Sequence, residues 1–227
     1  MTNFSGDDNE TKDRLLKAAE ELFSQKGFDG TSINEIAKQA GVNKPLIYYY
    51  FKSKEGLLNY MIDIVLKQME AIALGVIQNE KLKMFDDQKL KADQDKLKLV
   101  NMTAADIDRY LEASILKSLE FFWDRRRIFK IMTMESLKAG NNSNLLFRIC
   151  DLLNNKIFTT VFQEEGIQLN IDKTTLVEKF FMGIMPTINF VIYFDSWKKH
   201  YEMSDEDLKA AFVENFKRIY GCQWISK

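Results

Sequence analysis

The stretch Thr31–Leu58, TSINEIAKQAGVNKPLIYYYFKSKEGLL, predicts two short helices joined by a tight corner and followed by a longer helix. Ser32, with a glutamate three residues later, has the pattern of a capping box that begins the first short helix. Gly41 can adopt the left-handed backbone that ends it. Asn43 is a candidate N-cap for the next helix, and Pro45 suits a first turn, where no intrahelical N–H is needed. This order of elements is typical of a helix-turn-helix module.

The second short helix has two faces with different chemistry. Ile47 and Phe51 form an inward pair four residues apart, which leaves the opposite face open to a DNA groove. That face carries Lys44, Leu46, Tyr48, Tyr49 and, near its end, Tyr50. A lysine can reach a phosphate or a guanine edge, a leucine can meet a thymine methyl, and tyrosine hydroxyls can donate to phosphates. The alternative is that the three consecutive tyrosines pack inside a helical bundle, but they point in three directions and a helix this short cannot bury them all.

Outside this stretch the helical pattern continues in both directions. We expect residues 1–10 to form a flexible polar tail and Thr11 to cap a first helix that ends at Gly27. Residues 11–56 then form the helix-turn-helix domain, and residues 57–227 form a larger helical domain. The chain has only 10 glycines and 2 prolines, so turn signals are scarce and long helices are favoured over many strands. The predicted fold class is all-α.

Composition excludes several kinds of site. One histidine and two cysteines cannot supply a zinc finger, a metal cluster or a disulfide framework, so we expect no metal and no cofactor. The 32 lysines and arginines are balanced by 33 acids, so any contact with DNA has to be local. Between Thr31 and Gly56 there are four lysines and two glutamates, a net charge of +2 in a chain whose total is −1.

The sequence favours a cytoplasmic protein with no membrane partner. Its first ten residues are polar and acidic, which is the opposite of a secretory signal. The longest uncharged run, Phe180–Phe194, has 15 residues, fewer than the roughly 20 apolar residues that a membrane span needs. A buried or subunit-facing helix explains this run better, with a kink predicted at Pro186.

The segments Thr31–Ala37, Ala40–Val42 and Leu46–Leu58 together resemble the DNA-binding region of the TetR family of bacterial transcriptional regulators. The resemblance covers about Thr11–Tyr60, a quarter of the chain, and includes the Phe28 that follows the first helix. Members of the family are all-α homodimers that bind a DNA operator. Carried over by position, the resemblance implies DNA contacts at Thr31, Ser32, Asn43, Lys44, Pro45, Leu46, Tyr48, Tyr49 and Lys54, with Asn34, Tyr50 and Lys52 as weaker candidates.

Beyond Tyr60 the resemblance implies architecture only, namely a helical domain for ligand binding and dimerisation. Its last two long helices would form a four-helix bundle with those of a second copy, and their apolar residues are compatible with that role. The predicted dimer-interface residues are Leu176, Phe180, Phe181, Ile184, Leu208, Phe212, Phe216 and Ile219.

The central domain is rich in methionine and aromatic residues, which suit a cavity for a hydrophobic or aromatic small molecule, although any helical core also needs such residues. The predicted ligand-binding residues are Phe121, Phe122, Trp123, Met132, Phe147, Phe158, Phe162, Met182, Met185 and Phe190. Glu120, Asp124 and Glu135 could pair with a cationic ligand, but carboxylates at helical spacing more often lie on a solvated face. The run Arg125–Arg127 is interpreted as surface charge or as partners of nearby acids.

The sequence therefore predicts a ligand-responsive DNA-binding regulator, with a repressor favoured over an activator, that is released from a two-fold symmetric operator by a small apolar effector. An enzyme is disfavoured because His200 has no catalytic neighbours and neither a nucleophile elbow nor a phosphate-binding loop is present. A helical carrier or interaction protein is a further alternative, but it would not need the groove-facing residues to be intact.

Overall fold

The structure is a computed structural model that describes residues 5–86, 104–138, 140, 144–153 and 172–225. All regular elements within these residues are helices, which confirms the predicted all-α class. In chain order the helices are α1 (Ser5–Lys26), α2 (Ile33–Ala40), α3 (Lys44–Phe51), α4 (Lys54–Asp86), α5 (Ala104–Asp124), α6 (Arg126–Ser136), α7 (Phe147–Leu153), α8 (Lys173–Glu178), a π-helical segment (Lys179–Ile184), α9 (Met185–Tyr201) and α10 (Asp205–Ile225).

The chain divides into two compact units. The first comprises residues 1–79 and 127–158, and the second comprises residues 80–126 and 159–227. The first unit therefore contains the predicted helix-turn-helix together with most of α6 and with α7.

Helix α1 begins at Ser5 instead of at the predicted Thr11. Asp8 and Glu10 lie in the added turns, where negative charge interacts favourably with the positive end of the helix dipole. This interaction supports helix formation in a segment whose polarity had predicted a loose tail.

The core of the first unit is built from the apolar faces of its helices. Phe23 at the end of α1 contacts Phe28, with ring centroids 5.4 Å apart, and Met132 of α6 is fully buried. The largest side chains that are fully buried in this unit are those of Leu15, Phe23, Ile36, Ile47, Leu57, Leu58, Ile62, Phe129, Ile131, Met132 and Ile149. Burying large aliphatic and aromatic side chains contributes roughly 1.5–3 kcal/mol each, so this core fixes how the short helices pack.

The predicted corner between α2 and α3 is present. Gly41 has φ 66° and ψ 37°, the left-handed conformation expected of it, and Val42 N–H donates to the Ala37 carbonyl over 3.0 Å. Asn43 precedes α3 with an extended backbone, and Pro45 lies in the first turn. These local features set the angle between α2 and α3.

The start of α2 is closed by the predicted capping box. The Ser32 hydroxyl accepts the Glu35 N–H over 3.2 Å, and the Glu35 carboxylate accepts the Ser32 N–H over 2.8 Å. Lys26 donates to the same carboxylate over 2.7 Å. The hydrogen bonds that the Glu35 carboxylate accepts from Lys26 and Ser32 lower its pKa to about 2, and the bond from Lys26 contributes most.

A sharp joint connects α3 to α4. Lys52 has φ 68° and ψ −39°, which is rare for a residue with a side chain, and the Ser53 N–H donates to the Phe51 carbonyl over 2.8 Å. Gly56 packs directly against that carbonyl, since a Cβ atom placed on Gly56 would lie 1.9 Å from the Phe51 oxygen. The orientation of α3 on α4 therefore requires a glycine at position 56.

The second unit packs α5 against α9 and α10. Trp123 contacts Phe194 edge-to-face with centroids 4.8 Å apart, and Phe190 stacks on Phe212 at 4.1 Å. Lys217 of α10 forms an ion pair with a glutamate of α5 over 2.9 Å. The packing is therefore largely aromatic.

Arg125 follows α5 and Arg126 is the first residue of α6. Both contact aromatic rings, in addition to the predicted acidic partners. Arg125 lies over the Phe121 ring at 4.2 Å, and Arg126 lies over the Trp123 ring at 4.7 Å. Arg126 also approaches Asp195 within 3.9 Å.

The predicted disturbance at Pro186 takes the form of a π-helical segment immediately before it. Met185 N–H donates to the Phe180 carbonyl five residues back, and the Thr187 hydroxyl donates to the Gly183 carbonyl over 3.2 Å. Proline lacks an N–H and its ring occupies the space of the preceding turn, so the wider turn accommodates it.

We predict that Gly56→Ala destabilises the protein by about 1–3 kcal/mol, because the added methyl group has to displace the backbone of the α3–α4 joint. Gly183→Ala is the matched control, since a Cβ atom there meets nothing within 4 Å. Urea unfolding measures both free energies. Equal stability of the two variants would contradict the close contact at Gly56.

The capping box should make stability sensitive to acid. Because the pKa of Glu35 is lowered in the folded state, its charge stabilises the fold above the ordinary value of 4.5, and this contribution is lost as pH falls toward about 2. We therefore expect Glu35→Gln to be less stable than the parent chain at pH 7, with the gap closing between pH 4.5 and pH 2. Urea unfolding at a series of pH values measures the difference in free energy of unfolding between the two proteins. A difference that does not change with pH would contradict the stabilising role of the Glu35 charge.

Candidate nucleic-acid interface

Helix α3 is held by one face and exposes the other. Ile47 and Phe51 are buried in the first unit, whereas Lys44, Tyr48 and Tyr49 are exposed. Tyr49 is the more exposed of the two tyrosines, with 67% of its surface accessible. The helix therefore presents an ammonium group and two phenol hydroxyls outward from a fixed base.

The residues at the start of α3 also lie at the surface. Asn43 and Pro45 are exposed and Leu46 is half-buried. The Asn43 side chain makes no capping hydrogen bond to the helix, so its amide is not committed to holding the first turn. The start of α3 thus combines an amide, an ammonium group and an apolar surface within four residues.

Tyr50 differs from its two neighbours. It is half-buried, and its hydroxyl donates to the Asp8 carboxylate in the first turns of α1. Its ring contacts that of Tyr49 at 5.0 Å and that of Phe51 at 6.0 Å. Tyr50 thus links α3 to α1, a role that its sequence position alone did not indicate.

Ser32 lies at the exposed start of α2, but its hydroxyl is already engaged in the capping box with Glu35. Because the lowered pKa keeps Glu35 ionised, this end of α2 carries a carboxylate beside its N–H groups. Lys26, paired with that carboxylate over 2.7 Å, compensates its charge.

Two of the predicted contact residues have inward-facing roles in the structure. Thr31 is buried, and its hydroxyl donates to the Gly27 carbonyl over 2.9 Å. The Lys54 ammonium donates to the carbonyls of Phe28 and Thr31, each over 2.9 Å, and lies 4.3 Å from the centre of the Phe28 ring. Both side chains hold the α1–α2 loop, an arrangement that depends on contacts between distant residues and has no local sequence signal.

The predicted ligand-binding residues are divided between the two units, and two of them fall outside the described residues. Met132 and Phe147 belong to the first unit, where Met132 is part of the core and Phe147 is exposed. Phe158 and Phe162 lie outside the described residues. In the second unit Phe121 and Phe122 are buried in the packing, Met182 is exposed and Met185 is half-buried.

Trp123 and Phe190 are the two predicted ligand residues that line a common cavity. It has a volume of about 280 Å³ and is lined by Leu116, Leu119, Glu120, Trp123, Phe190 and Lys209. The Lys209 ammonium lies 5.4 Å from the centre of the Trp123 ring. The cavity thus has apolar walls and one charged group of each sign.

A larger open groove of about 860 Å³ runs along α9 and α10. Its lining is almost entirely apolar and includes Tyr193, Trp197 and Tyr201, which recur every four residues and are each about half exposed. Sequence reasoning did not single out this face, although the four-residue spacing of the three aromatic residues marks it.

The predicted dimer residues divide between packing and surface. Phe180 and Leu208 are buried within the unit, and Leu176, Ile184, Phe212 and Phe216 are half-buried. Phe181 and Ile219 are exposed. Half-buried Phe212 lines the groove together with Leu208.

Comparison with known proteins places the same module at the N-terminus. Residues 15–61 match the model of the bacterial regulatory proteins of the tetR family. A relative named Probable HTH-type transcriptional regulator YttP, from Bacillus subtilis, is 54% identical over 52 residues, which are 23% of this chain and 25% of that protein. The biofilm operon icaADBC negative transcriptional regulator IcaR of Staphylococcus epidermidis is 38% identical over 64 residues, 25% of this chain and 35% of that protein.

These matches cover about a quarter to a third of the length of the two curated relatives. The fold extends further, since the structure of Salmonella enterica GusR aligns with a TM-score of 0.54 over 92% of each chain at 17% identity. The matched family and relatives are DNA-binding transcriptional regulators and not enzymes. Residues 15–61 therefore match the DNA-binding module of the tetR family, and the fold of the chain is that of solved transcriptional regulators.

Proposed function

We propose that this protein is a homodimeric, ligand-responsive transcriptional regulator that binds a two-fold symmetric operator. One observation carries the proposal: the exposed face of α3, with Lys44, Tyr48 and Tyr49, projects from a helix whose other face is anchored by Ile47 and Phe51. A short amphipathic helix with a polar, aromatic outer face suits the major groove.

The contacts divide by chemistry. Lys44 can bind a phosphate or a guanine edge, the tyrosine hydroxyls can donate to phosphates, and Leu46 can pack on a thymine methyl. Asn43, Pro45 and Ser32 lie beside them at the starts of α3 and α2. Because Thr31 and Lys54 are engaged in internal hydrogen bonds, the proposal gives their side chains a supporting role.

Homodimerisation through α9 and α10 would cover the exposed groove and would match the symmetry of a two-fold operator. The groove exposes aromatic rings that a monomer would leave in water, and large exposed apolar patches are typical of interaction surfaces. A two-fold symmetric dimer would also supply two recognition helices, which need to be about 34–36 Å apart to enter successive major grooves.

The same apolar surface raises the question of a membrane, because Lys173–Tyr201 is long and apolar enough to cross one by length and composition. This run contains Pro186, a π-helical segment and charged residues that include Asp195 and Lys198. A subunit interface explains the pattern without placing these groups in lipid. We therefore propose a cytoplasmic protein without a membrane partner.

The effector we propose is a small hydrophobic or aromatic molecule. The 280 Å³ cavity at Trp123 and Phe190 supports an apolar ligand, and Glu120 and Lys209 could orient a polar end. The effector would favour a dimer conformation in which α4 moves the two recognition helices away from operator spacing. A compound that binds and leaves operator affinity unchanged at saturation would contradict this coupling.

Repression is the favoured mode because IcaR, which shares the DNA-binding region, is named a negative regulator. An activator of the same family would share the DNA contacts and the dimer. A helical carrier that does not bind DNA is the alternative from a different class, and it predicts that no operator exists.

The test of the proposed function is selection from random duplex DNA by the purified protein, followed by titration of the selected sequence at two salt concentrations. We expect an inverted repeat, with affinity that falls steeply as salt rises because phosphate contacts release counterions. Failure of a folded protein to enrich any sequence would favour the carrier.

We predict that Lys44→Ala and Tyr49→Ala each weaken operator binding by about 1–3 kcal/mol without lowering stability, since both side chains are exposed. Lys130→Ala, which removes an exposed lysine from α6, is the charge-matched control. Fluorescence anisotropy with the selected duplex measures the affinities. If Lys44 contacts a phosphate, the salt slope should also fall by about 1. Wild-type affinity in both variants would refute the contact assignment.

We predict that Trp197→Glu converts the dimer to a monomer, because a carboxylate among the aromatic rings of the groove would lose its hydration when the interface forms. Leu137→Glu is the control, since Leu137 is 84% exposed and lies in the first unit, outside the groove. Sedimentation velocity gives the assembly state of each. A dimeric Trp197→Glu variant would place the interface elsewhere.

A further inference from the structure

Among the residues that the structure describes, Glu135 is the one charged side chain that is buried, with 2% of its surface exposed. It lies on the inner face of α6 beside the buried Ile131 and Met132. Its carboxylate accepts the backbone N–H of Phe28 over 3.2 Å, across 107 residues of sequence. Burying a carboxylate is costly unless it is hydrogen-bonded, so this contact compensates an otherwise unfavourable placement.

Lys138 extends the contact to the next residue of the loop. Its ammonium donates to Glu135 over 2.7 Å and to the Asp29 carboxylate over 2.9 Å. The hydrogen bond and charge of Lys138 lower the pKa of Asp29. The end of α6 therefore holds two consecutive residues of the α1–α2 loop, one by its backbone and one by its side chain.

The same loop is held from its other side by the start of α4. Lys54 donates to the carbonyls of Phe28 and Thr31. The N–H and the C=O of Phe28 are thus both bonded to charged side chains, from Glu135 and Lys54 respectively. The loop leads directly to the capping box at Ser32 and through α2 to the recognition helix, so its position bears on the placement of α3.

We propose that Glu135 is a positioning residue for operator binding, which fixes the α1–α2 loop and through it the orientation of α3, although it lies outside the helix-turn-helix. This inference rests on the proposed DNA-binding function. Its chemical basis is the buried carboxylate that bonds the Phe28 N–H, together with the Lys138 ammonium that bridges to Asp29.

The test compares Glu135→Leu and Glu135→Gln with Glu112→Leu in the full-length protein. Glutamine keeps an oxygen that can accept the Phe28 N–H but loses the charge that attracts Lys138. Glu112 is the matched control because it is also a glutamate bonded to a lysine, Lys217 at 2.9 Å, but it is exposed and lies in the second unit.

Binding is measured on the selected inverted repeat and on an unrelated duplex of the same length, at a temperature where each variant is folded. We expect Glu135→Leu to lose about tenfold or more in affinity for the repeat, Glu135→Gln to lose roughly threefold, and Glu112→Leu to bind as the parent does. Affinity for the unrelated duplex and the salt slope should not change, because Glu135 contacts no phosphate.

Three results would overturn the proposal. These are parental affinity for the repeat in Glu135→Leu, an equal loss in Glu112→Leu, or a loss that is the same on both duplexes, as partial unfolding would give. If Glu135→Leu does not fold, Glu135→Gln decides alone, and parental affinity in that variant overturns the proposal.

A readout without DNA separates this inference from the proposed function. In spectra of uniformly ¹⁵N-labelled protein, Glu135→Gln should shift the amide resonances of Phe28 and of residues 44 and 46–51, whereas Glu112→Leu should leave them in place. Shifts confined to the surroundings of residue 135 would overturn the positioning role even if the parent protein binds no operator.

Discussion

The backbone contact between Gly56 and the Phe51 carbonyl is the constraint on which the arrangement of the DNA-binding module depends. It brings the first turn of α4 against the end of α3 and leaves no space for a side chain between them. The chain makes this approach only by placing Lys52 in a positive-φ conformation, which costs of order 1–3 kcal/mol and is compensated by the surrounding packing. A joint that is both strained and closely packed transmits displacement because it has few alternative conformations of similar energy.

Charged side chains also stabilise the DNA-binding module, through hydrogen bonds to its backbone. Lys54 and Glu135 bind the backbone of the α1–α2 loop, where a lysine and a glutamate of a DNA-binding protein would ordinarily be assigned to phosphate contact and to the surface. Charge-assisted hydrogen bonds to backbone groups are stronger than neutral ones and are directional. Few residues of α3 face outward, which narrows the set of side chains that could contact DNA under the proposed function.

How much of the fold and of the candidate site could be predicted depends on the distance in sequence between the interacting groups. The capping box at Ser32, the left-handed Gly41 and the inward pair Ile47 and Phe51 all arise from residues within a few positions of one another, and sequence patterns predict them correctly. The internal engagement of Lys54 and the burial of Glu135 depend on partners 26 and 107 residues away, for which one sequence has no local signal. The start of α1 was misplaced for a different reason, because polar residues near a helix start can favour either a tail or a charged first turn.

The length of chain between Phe28 and Glu135 also has a consequence for how the protein is made. The contacts among α1, α2 and α3 join neighbouring segments, and such local contacts form early and quickly. At a synthesis rate of roughly 5–20 residues per second, the ribosome needs about 5–20 seconds to add the 107 residues that separate Phe28 from Glu135. The nascent DNA-binding module therefore spends that interval with the Phe28 N–H lacking its carboxylate partner, and it gains its final attachment only after α6 has emerged.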